Sequence, residues 1–267
     1  MYKRWLELFK QIGHKVCEST KKIAGSIESK QELTNGAFGD TTVYIDKLAE
    51  DIIINSIKES GLKCTILSEE KGWLKLGSEL PIVIIDPIDG SLNAKRLIPY
   101  YSVSIALSYG FTTDDISLGY VINLSNKDEF WAIKDSGAYF NNKRIKTASN
   151  SLNLAVVEGL KKESSAELLK FIYSNFYKIR QVGSAALDMC YLSLGSFDVF
   201  LHIQQSRIID YAAAKIILEE SSGGMFVLGS SNHFKENITI EKGRKFFCLS
   251  NKEKIGDFLK QVGWHKK

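Results

Sequence analysis

Two carboxylates three residues apart close an unbroken apolar run in Ile82-Val83-Ile84-Ile85-Asp86-Pro87-Ile88-Asp89-Gly90-Ser91. Acids at the end of a strand buried on both faces repel each other and lose hydration, so something positive must neutralise them. Their oxygens are hard ligands, which select magnesium, manganese or calcium over zinc or copper. Pro87 turns the chain rigidly between the two acids. Gly90 permits a close approach, and the amides after it can open toward an anion. Hard cations beside an anion cradle are the equipment of phosphate chemistry. Read locally, the same two acids also serve as a helix cap and a turn.

More acids stand at comparable places. Glu69 and Glu70 follow the short strand Cys64-Thr65-Ile66-Leu67, where paired glutamates usually face solvent. Asp40 and Asp46 flank the start of a helix, one suited to an N-cap and the other to a first-turn acid favoured by the helix dipole. Asp210 precedes Tyr211-Ala212-Ala213-Ala214, where an N-cap reads equally well. Each acid has a local explanation; their joint spacing does not.

The elements that must position these acids follow from periodicity. Trp5, Leu6, Phe9, Ile12, Val16 and Ile23 give one helix face; Ile45, Leu48, Ala49, Ile52, Ile53 and Ile57 give a second, which ends near Gly61. Between them, the glycines of residues 34–40 read as a loop. Strands are expected at Ile82 to Ile85, Tyr101 to Tyr109, Ser117 to Ile122 and Glu129 to Ile133. A second half begins with a strand at Ala155 to Val157. Helices follow near Ala166 to Ser174, at Ser184 to Leu194 and at Tyr211 to Glu220, with strands at Phe197 to Ile203 and Phe246 to Leu249. Mixed strands and helices without strict alternation predict layered α and β rather than a barrel.

Composition narrows the class. The 267 residues are 44% hydrophobic and 25% charged, enough for a core without disulfide staples. Cys17, Cys64, Cys190 and Cys248 form no C-x-x-C pair, which argues against a zinc ribbon and suits a reducing cytoplasm. No apolar run reaches membrane-helix length. The net charge of +4 comes from scattered lysines and arginines, a solvated surface rather than a nucleic-acid patch.

Glu69-Glu70, Asp86-Pro87-Ile88-Asp89-Gly90-Ser91-Leu92-Asn93 and Asp210-Tyr211-Ala212-Ala213, in that order, resemble the signatures of the inositol monophosphatase family. That family belongs to the lithium-sensitive, magnesium-dependent phosphatases that include fructose-1,6-bisphosphatase. Gly39-Asp40 through Glu50 resembles the family's opening motif, especially in archaeal dual-specificity members. Gly183-Ser184-Ala185-Ala186-Leu187-Asp188 resembles its second-half helix, and Gly137-Ala138-Tyr139-Phe140-Asn141 its turn after the central hairpin.

The resemblance implies an α+β fold, a layered αβαβα sandwich forming one phosphatase unit with lobes of about 1–146 and 147–267. It assigns Glu69, Asp86, the carbonyl of Ile88, Asp89 and Asp210 as metal ligands, with Asp40 on a more weakly held ion. Six acids, counting Asp46, would share a pocket only with about two or three divalent cations, Mg2+ or else Mn2+. Asp46 and the Ser91 hydroxyl match the pair that positions and deprotonates an attacking water, beside Glu69. Gly90 and Ser91 amides would meet the phosphate, and Gly183, Ser184 and Ala185 would line the substrate side. Arg180 and Arg207 are candidates for a second phosphate by bidentate contact. Read as N-terminus of an ordinary helix, Ser184 is simply its cap.

Inositol-preferring relatives carry a glutamate seven residues before the last metal aspartate, a place held here by Ile203. The expected substrate is therefore a small phosphorylated metabolite, fructose-1,6-bisphosphate, inositol monophosphate or both. A 3′-phosphoadenosine 5′-phosphate phosphatase is the nearest alternative, and a non-catalytic binding protein on the same fold is an alternative of another class. Relatives are commonly dimers; membrane and nucleic-acid partners are not expected.

Overall fold

The computed structural model describes residues 2–27, 31–35, 37, 41–147, 151–162 and 164–264. Helix α1 (Tyr2–Thr20) buries Trp5, Leu6, Phe9, Ile12 and Val16, the stripe its periodicity predicts. Strands β1 (Glu32–Asn35) and β2 (Thr41–Val43) pair antiparallel, so Thr34 and Asn35, read as loop, stand in a short ribbon. Glycine-rich spacing marks the break in helical pattern but is blind to this pairing. Helix α2 (Tyr44–Glu59) then buries Ile45, Ala49, Ile53 and Ile57.

The chain next lays down β3 (Cys64–Ser68), β4 (Gly72–Asp89), the short helix α3 (Ser91–Arg96), β5 (Ser102–Ser108), β6 (Ile116–Asn123), β7 (Glu129–Ile133), β8 (Gly137–Phe140) and β9 (Lys143–Ile145). These strands form a seven-stranded sheet in sequence order. Pairing is antiparallel from β4 to β9, while Thr65 to Ser68 of β3 run parallel to Ile82 to Ile85. Gly137 to Phe140, expected as a turn, extends the sheet: Phe140 faces Phe130 in the ladder and their rings lie 4.8 Å apart.

The second half supplies β10 (Leu154–Glu158), α4 (Ala166–Asn175), β11 (Lys178–Arg180), α5 (Ala185–Ser193), β12 (Val199–His202), α6 (Ile208–Glu220), β13 (Gly224–Val227), β14 (Phe246–Leu249) and α7 (Ile255–Gln261). Its five-stranded sheet has the order β11-β10-β12-β14-β13, parallel across β11, β10 and β12 and antiparallel beyond.

Three apolar clusters define the layers. Helices α1 and α2 cover one face of the large sheet through Phe9, Ile53, Val83 and Ile105. Helices α5 and α6 lie between the sheets, where Leu187, Ile217, Ile84, Phe130, Phe200 and Cys248 share one core. Ile172 of α4 and Phe258 of α7 cover the outer face of the small sheet with Val157 and Phe247. The result is an α+β sandwich layered αβαβα. Being enclosed on both sides, α6 is buried at nearly every residue from Ile208 to Leu218 and lacks the polar face of a surface helix. Among the described residues, no helix is long and apolar enough to cross a membrane.

Candidate active site

The central sheet delivers Asp86 and Asp89 at the end of β4. Both are buried, at 1% and 9% exposure, because the strand is covered on each face. The Ile88 amide donates to Asp86 Oδ1 at 3.1 Å, closing a tight turn around Pro87. Gly90 follows at φ 90°, and a Cβ there would come within 2.9 Å of the Gly183 carbonyl oxygen. Only glycine allows both the left-handed backbone and that approach. Ser91, half-buried, then opens α3, and the Ala94 amide donates to the Gly90 carbonyl at 3.1 Å.

The approach brings the second-half segment Gly183-Ser184-Ala185 against the motif. Asp89 Oδ2 accepts from Ser184 Oγ at 2.5 Å and from the Ala186 amide at 2.8 Å. Ser184 is the N-cap of α5, as its local reading had it, and it also touches Asp89. Asn93, from the end of the motif, and Glu158, which no sequence pattern marks, complete the clamp. Asn93 Nδ2 donates to the carbonyls of Tyr100 and Val182 at 2.7 and 2.8 Å, and Glu158 Oε1 accepts from the Gly183 amide at 2.8 Å.

Glu69 sits on the turn after β3, and α2 holds that turn from below. The fully buried Glu50 accepts from Ser68 Oγ, from the Glu70 amide at 3.2 Å and from the Lys71 amide at 3.1 Å. In the sequence, Glu50 closes the segment that resembles the family's opening motif. Its spacing of one helical turn from Asp46, itself 5% exposed in the first turn of α2, was the available signal. Asp40 lies outside the described residues.

From the second half of the chain comes α6. Asp210, read as a possible N-cap, instead occupies the third helical position and accepts from the amide of the true cap, Arg207, at 3.2 Å. The Arg207 guanidinium reaches across the site: Nη1 donates to Glu69 Oε1 at 2.7 Å, and Nη2 and Nε donate to Asp210 Oδ1 at 2.9 and 3.1 Å. Arg180, by contrast, ends β11 in an exposed position and donates to the carbonyl of its neighbour Ile179. The Ile203 side chain turns away altogether, into a 180 Å³ apolar cavity with Phe171, Leu228 and Trp264.

Electrostatics tie Glu69, Asp86, Asp89 and Asp210 into one group. Burial pushes the Asp86 carboxyl well above the usual range, and the charges of Glu69, Asp89 and Asp210 push it further against the pull of Arg207. Burial likewise raises Glu69 to about 7, opposed by Arg207 and reinforced by Asp210. Asp89 is raised to about 7, again mainly by burial, although the Ser184 bond resists. Burial disfavours the charge on Arg207, but Asp210 and Glu69 outweigh it and move its pKa above the ordinary value.

Among the described residues, four carboxylates against one guanidinium leave the group short of positive charge, and an all-oxygen donor set suits a hard cation. In donor chemistry the residues therefore fit a divalent metal. Among the described residues, no three His, Cys, Asp or Glu side chains converge into a finished cage; the space between Glu69 and Asp210 is spanned by Arg207.

Comparison with known proteins bears on the family and the fold. The model of the inositol monophosphatase family matches residues 2–255. A fructose-1,6-bisphosphatase/inositol-1-monophosphatase of Methanothermobacter thermautotrophicus is 32% identical over 231 residues, covering 82% of each chain. A bifunctional NADP phosphatase/NAD kinase of Methanococcus maripaludis is 30% identical over 94% of this chain, which spans only 47% of that longer protein. A solved inositol monophosphatase–fructose 1,6-bisphosphatase superposes with a TM-score of 0.84 at 25% identity, covering 97% of this chain and 99% of the other.

Proposed function

Because the chain belongs to the inositol monophosphatase family and is a phosphatase of small phosphorylated metabolites, we propose that it hydrolyses fructose-1,6-bisphosphate, inositol monophosphate or both in a magnesium-dependent reaction. The observation that carries this is the shared burial of Glu69, Asp86, Asp89 and Asp210 around a single guanidinium. Glu69, Asp86, the Ile88 carbonyl, Asp89 and Asp210 would hold about two or three magnesium ions, with manganese as a substitute and Asp40 toward an additional ion. Such ions supply Lewis acidity to the phosphoryl oxygens and to the departing ester oxygen.

The protein's own groups do the rest. Asp46 and Ser91 orient the attacking water and take its proton, with Glu69 beside them. Amides of Gly90 and Ser91 hold the phosphate, and the Gly183-Ser184-Ala185 segment, locked to Asp89, faces the remainder of the substrate. Arg180 and Arg207 are the cations available for a second phosphate. With Ile203 packed into its apolar cavity, no acceptor for ring hydroxyls stands at that position, which favours the fructose bisphosphate over inositol. The lobes, about 1–146 and 147–267, act as one unit, as a homodimer in the cytoplasm.

A second reading takes a nucleotide phosphate as substrate, favoured by similarity to the NADP phosphatase/NAD kinase. Phosphate release would be measured from fructose-1,6-bisphosphate, inositol monophosphate, NADP and 3′-phosphoadenosine 5′-phosphate, each with magnesium and with EDTA. Fructose-1,6-bisphosphate should be hydrolysed fastest and only with magnesium. Undiminished rates in EDTA, or no release from any of the four, would refute the proposal.

A further inference from the structure

We infer, on the metal-dependent reading above, that Arg207 is a resident counter-ion which a divalent cation must displace from Glu69 and Asp210 to enter the site. Arg207 is not a surface arginine resting on the nearest acid. It stands at the mouth of α6, and its guanidinium joins that helix to the turn after β3, 138 residues away in sequence. Among the described residues, three of its N–H groups are committed: Nη1 to Glu69 Oε1, Nη2 and Nε to Asp210, the last reaching both carboxylate oxygens at 3.1 and 3.3 Å.

Glu69 and Asp210 are also the acids from which a divalent cation between them would draw oxygens. A carboxylate oxygen committed to a short charge-assisted hydrogen bond offers a metal little, and two cations a few ångströms apart repel strongly where water is scarce. The side chains of Arg207, Glu69 and Asp210 are 20%, 15% and 14% exposed, so screening by solvent is weak. Guanidinium and metal are therefore alternatives at this position.

Arg207 answers a need of the empty site. Without it, Glu69, Asp86 and Asp210 would face one another uncompensated across the lobe junction. With it, the metal-free protein keeps its lobes pinned, and metal loading becomes an exchange of one cation for another. The exchange weakens apparent metal affinity and stabilises the metal-free fold, two effects that a purely structural ion pair away from the ligands would not couple.

The test uses the full chain stripped with EDTA and titrated with Mg2+ or Mn2+ by calorimetry in the absence of substrate. Arg207→Gln keeps side-chain length and polarity but removes the charge. It should bind the ion at least about tenfold more tightly than wild type, a difference of about 1.4 kcal/mol. Its metal-free melting temperature should be lower, and saturating metal should close that gap. Arg207→Lys, which keeps the charge, should stay near wild type in affinity. An Arg207→Gln affinity equal to or weaker than wild type overturns the exchange while leaving the metal-dependent reading intact. Absence of binding to wild type and both variants overturns the two together. Should Arg207→Gln not fold, the wild-type protein decides by NMR: the Arg207 Nε–H resonance should move when metal saturates the site, and an unmoved resonance overturns the exchange.

Discussion

At the scale of single residues, the position of Glu69 depends on a second, fully buried acid. Glu50 accepts three donors from Ser68, Glu70 and Lys71 and so fixes where Glu69 points. Glu50→Ala would leave two amides and a hydroxyl without their acceptor, at about 1–3 kcal/mol for each group that stays buried. Urea unfolding should show a loss of at least that size, and phosphate release should fall further than in Glu50→Gln, which keeps an acceptor oxygen. Unchanged activity in Glu50→Ala would remove its positioning role.

The pH dependence of the metal-free protein belongs to the same scale. Glu69 and Asp89 have folded values of about 7 against ordinary values of 4.5 and 3.8. The folded state thus holds protons the unfolded chain has released, so their contribution to stability is present below about pH 4 and is lost as pH rises through about 7. Asp89→Asn cannot titrate there. In EDTA, its melting temperature relative to wild type should improve between about pH 5 and pH 8. A constant difference across that range would contradict the raised Asp89 value.

At the scale of elements, the strand–turn–helix from β4 to α3 has to touch the second lobe at one point, and Gly90 is that point. Gly90→Ala meets a left-handed backbone and the Gly183 carbonyl together, and should cost about 1–3 kcal/mol or more in urea unfolding along with most of the activity. Gly61, also left-handed at φ 69° but with open space around its Cβ, is the control. Gly61→Ala should lose about 1 kcal/mol and no activity. Equal losses of activity in the two variants would mean that the approach to Gly183 is unimportant.

Much of this was legible in the sequence where local rules apply. The apolar run Ile82 to Ile85 announced a strand covered on both faces, and Asp-Pro-Ile-Asp-Gly-Ser announced the turn that ends it. The start of β4 is hard to read because Lys75, Gly77 and Glu79 interrupt the apolar run, although Leu74, Leu76 and Leu80 keep the two-residue period of a half-buried strand. The three-residue strands β9 and β11 are too short to show any period. Contacts between the two halves of the chain leave no local trace: the grip of Arg207 on Glu69 and that of Asn93 on Val182 exist only once both sheets are in place.

At the scale of the whole molecule, the αβαβα layering sets the site at the junction of two sheets. The large sheet brings Glu69, Asp86 and Asp89 to one edge of the junction, and α6, enclosed between the sheets, brings Asp210 to the other. The acids come from both halves of the chain, so the burial that raises the carboxylates exists only in the assembled sandwich. The central claim is that these buried acids serve a metal-dependent phosphatase, and Asp86 is the most buried of them. The most direct measurement is phosphate release from fructose-1,6-bisphosphate by wild type and by Asp86→Asn, each with magnesium, after circular dichroism has shown the variant folded. The prediction is a fall of more than about a hundredfold in the variant. A folded Asp86→Asn protein that releases phosphate at the wild-type rate would contradict the account.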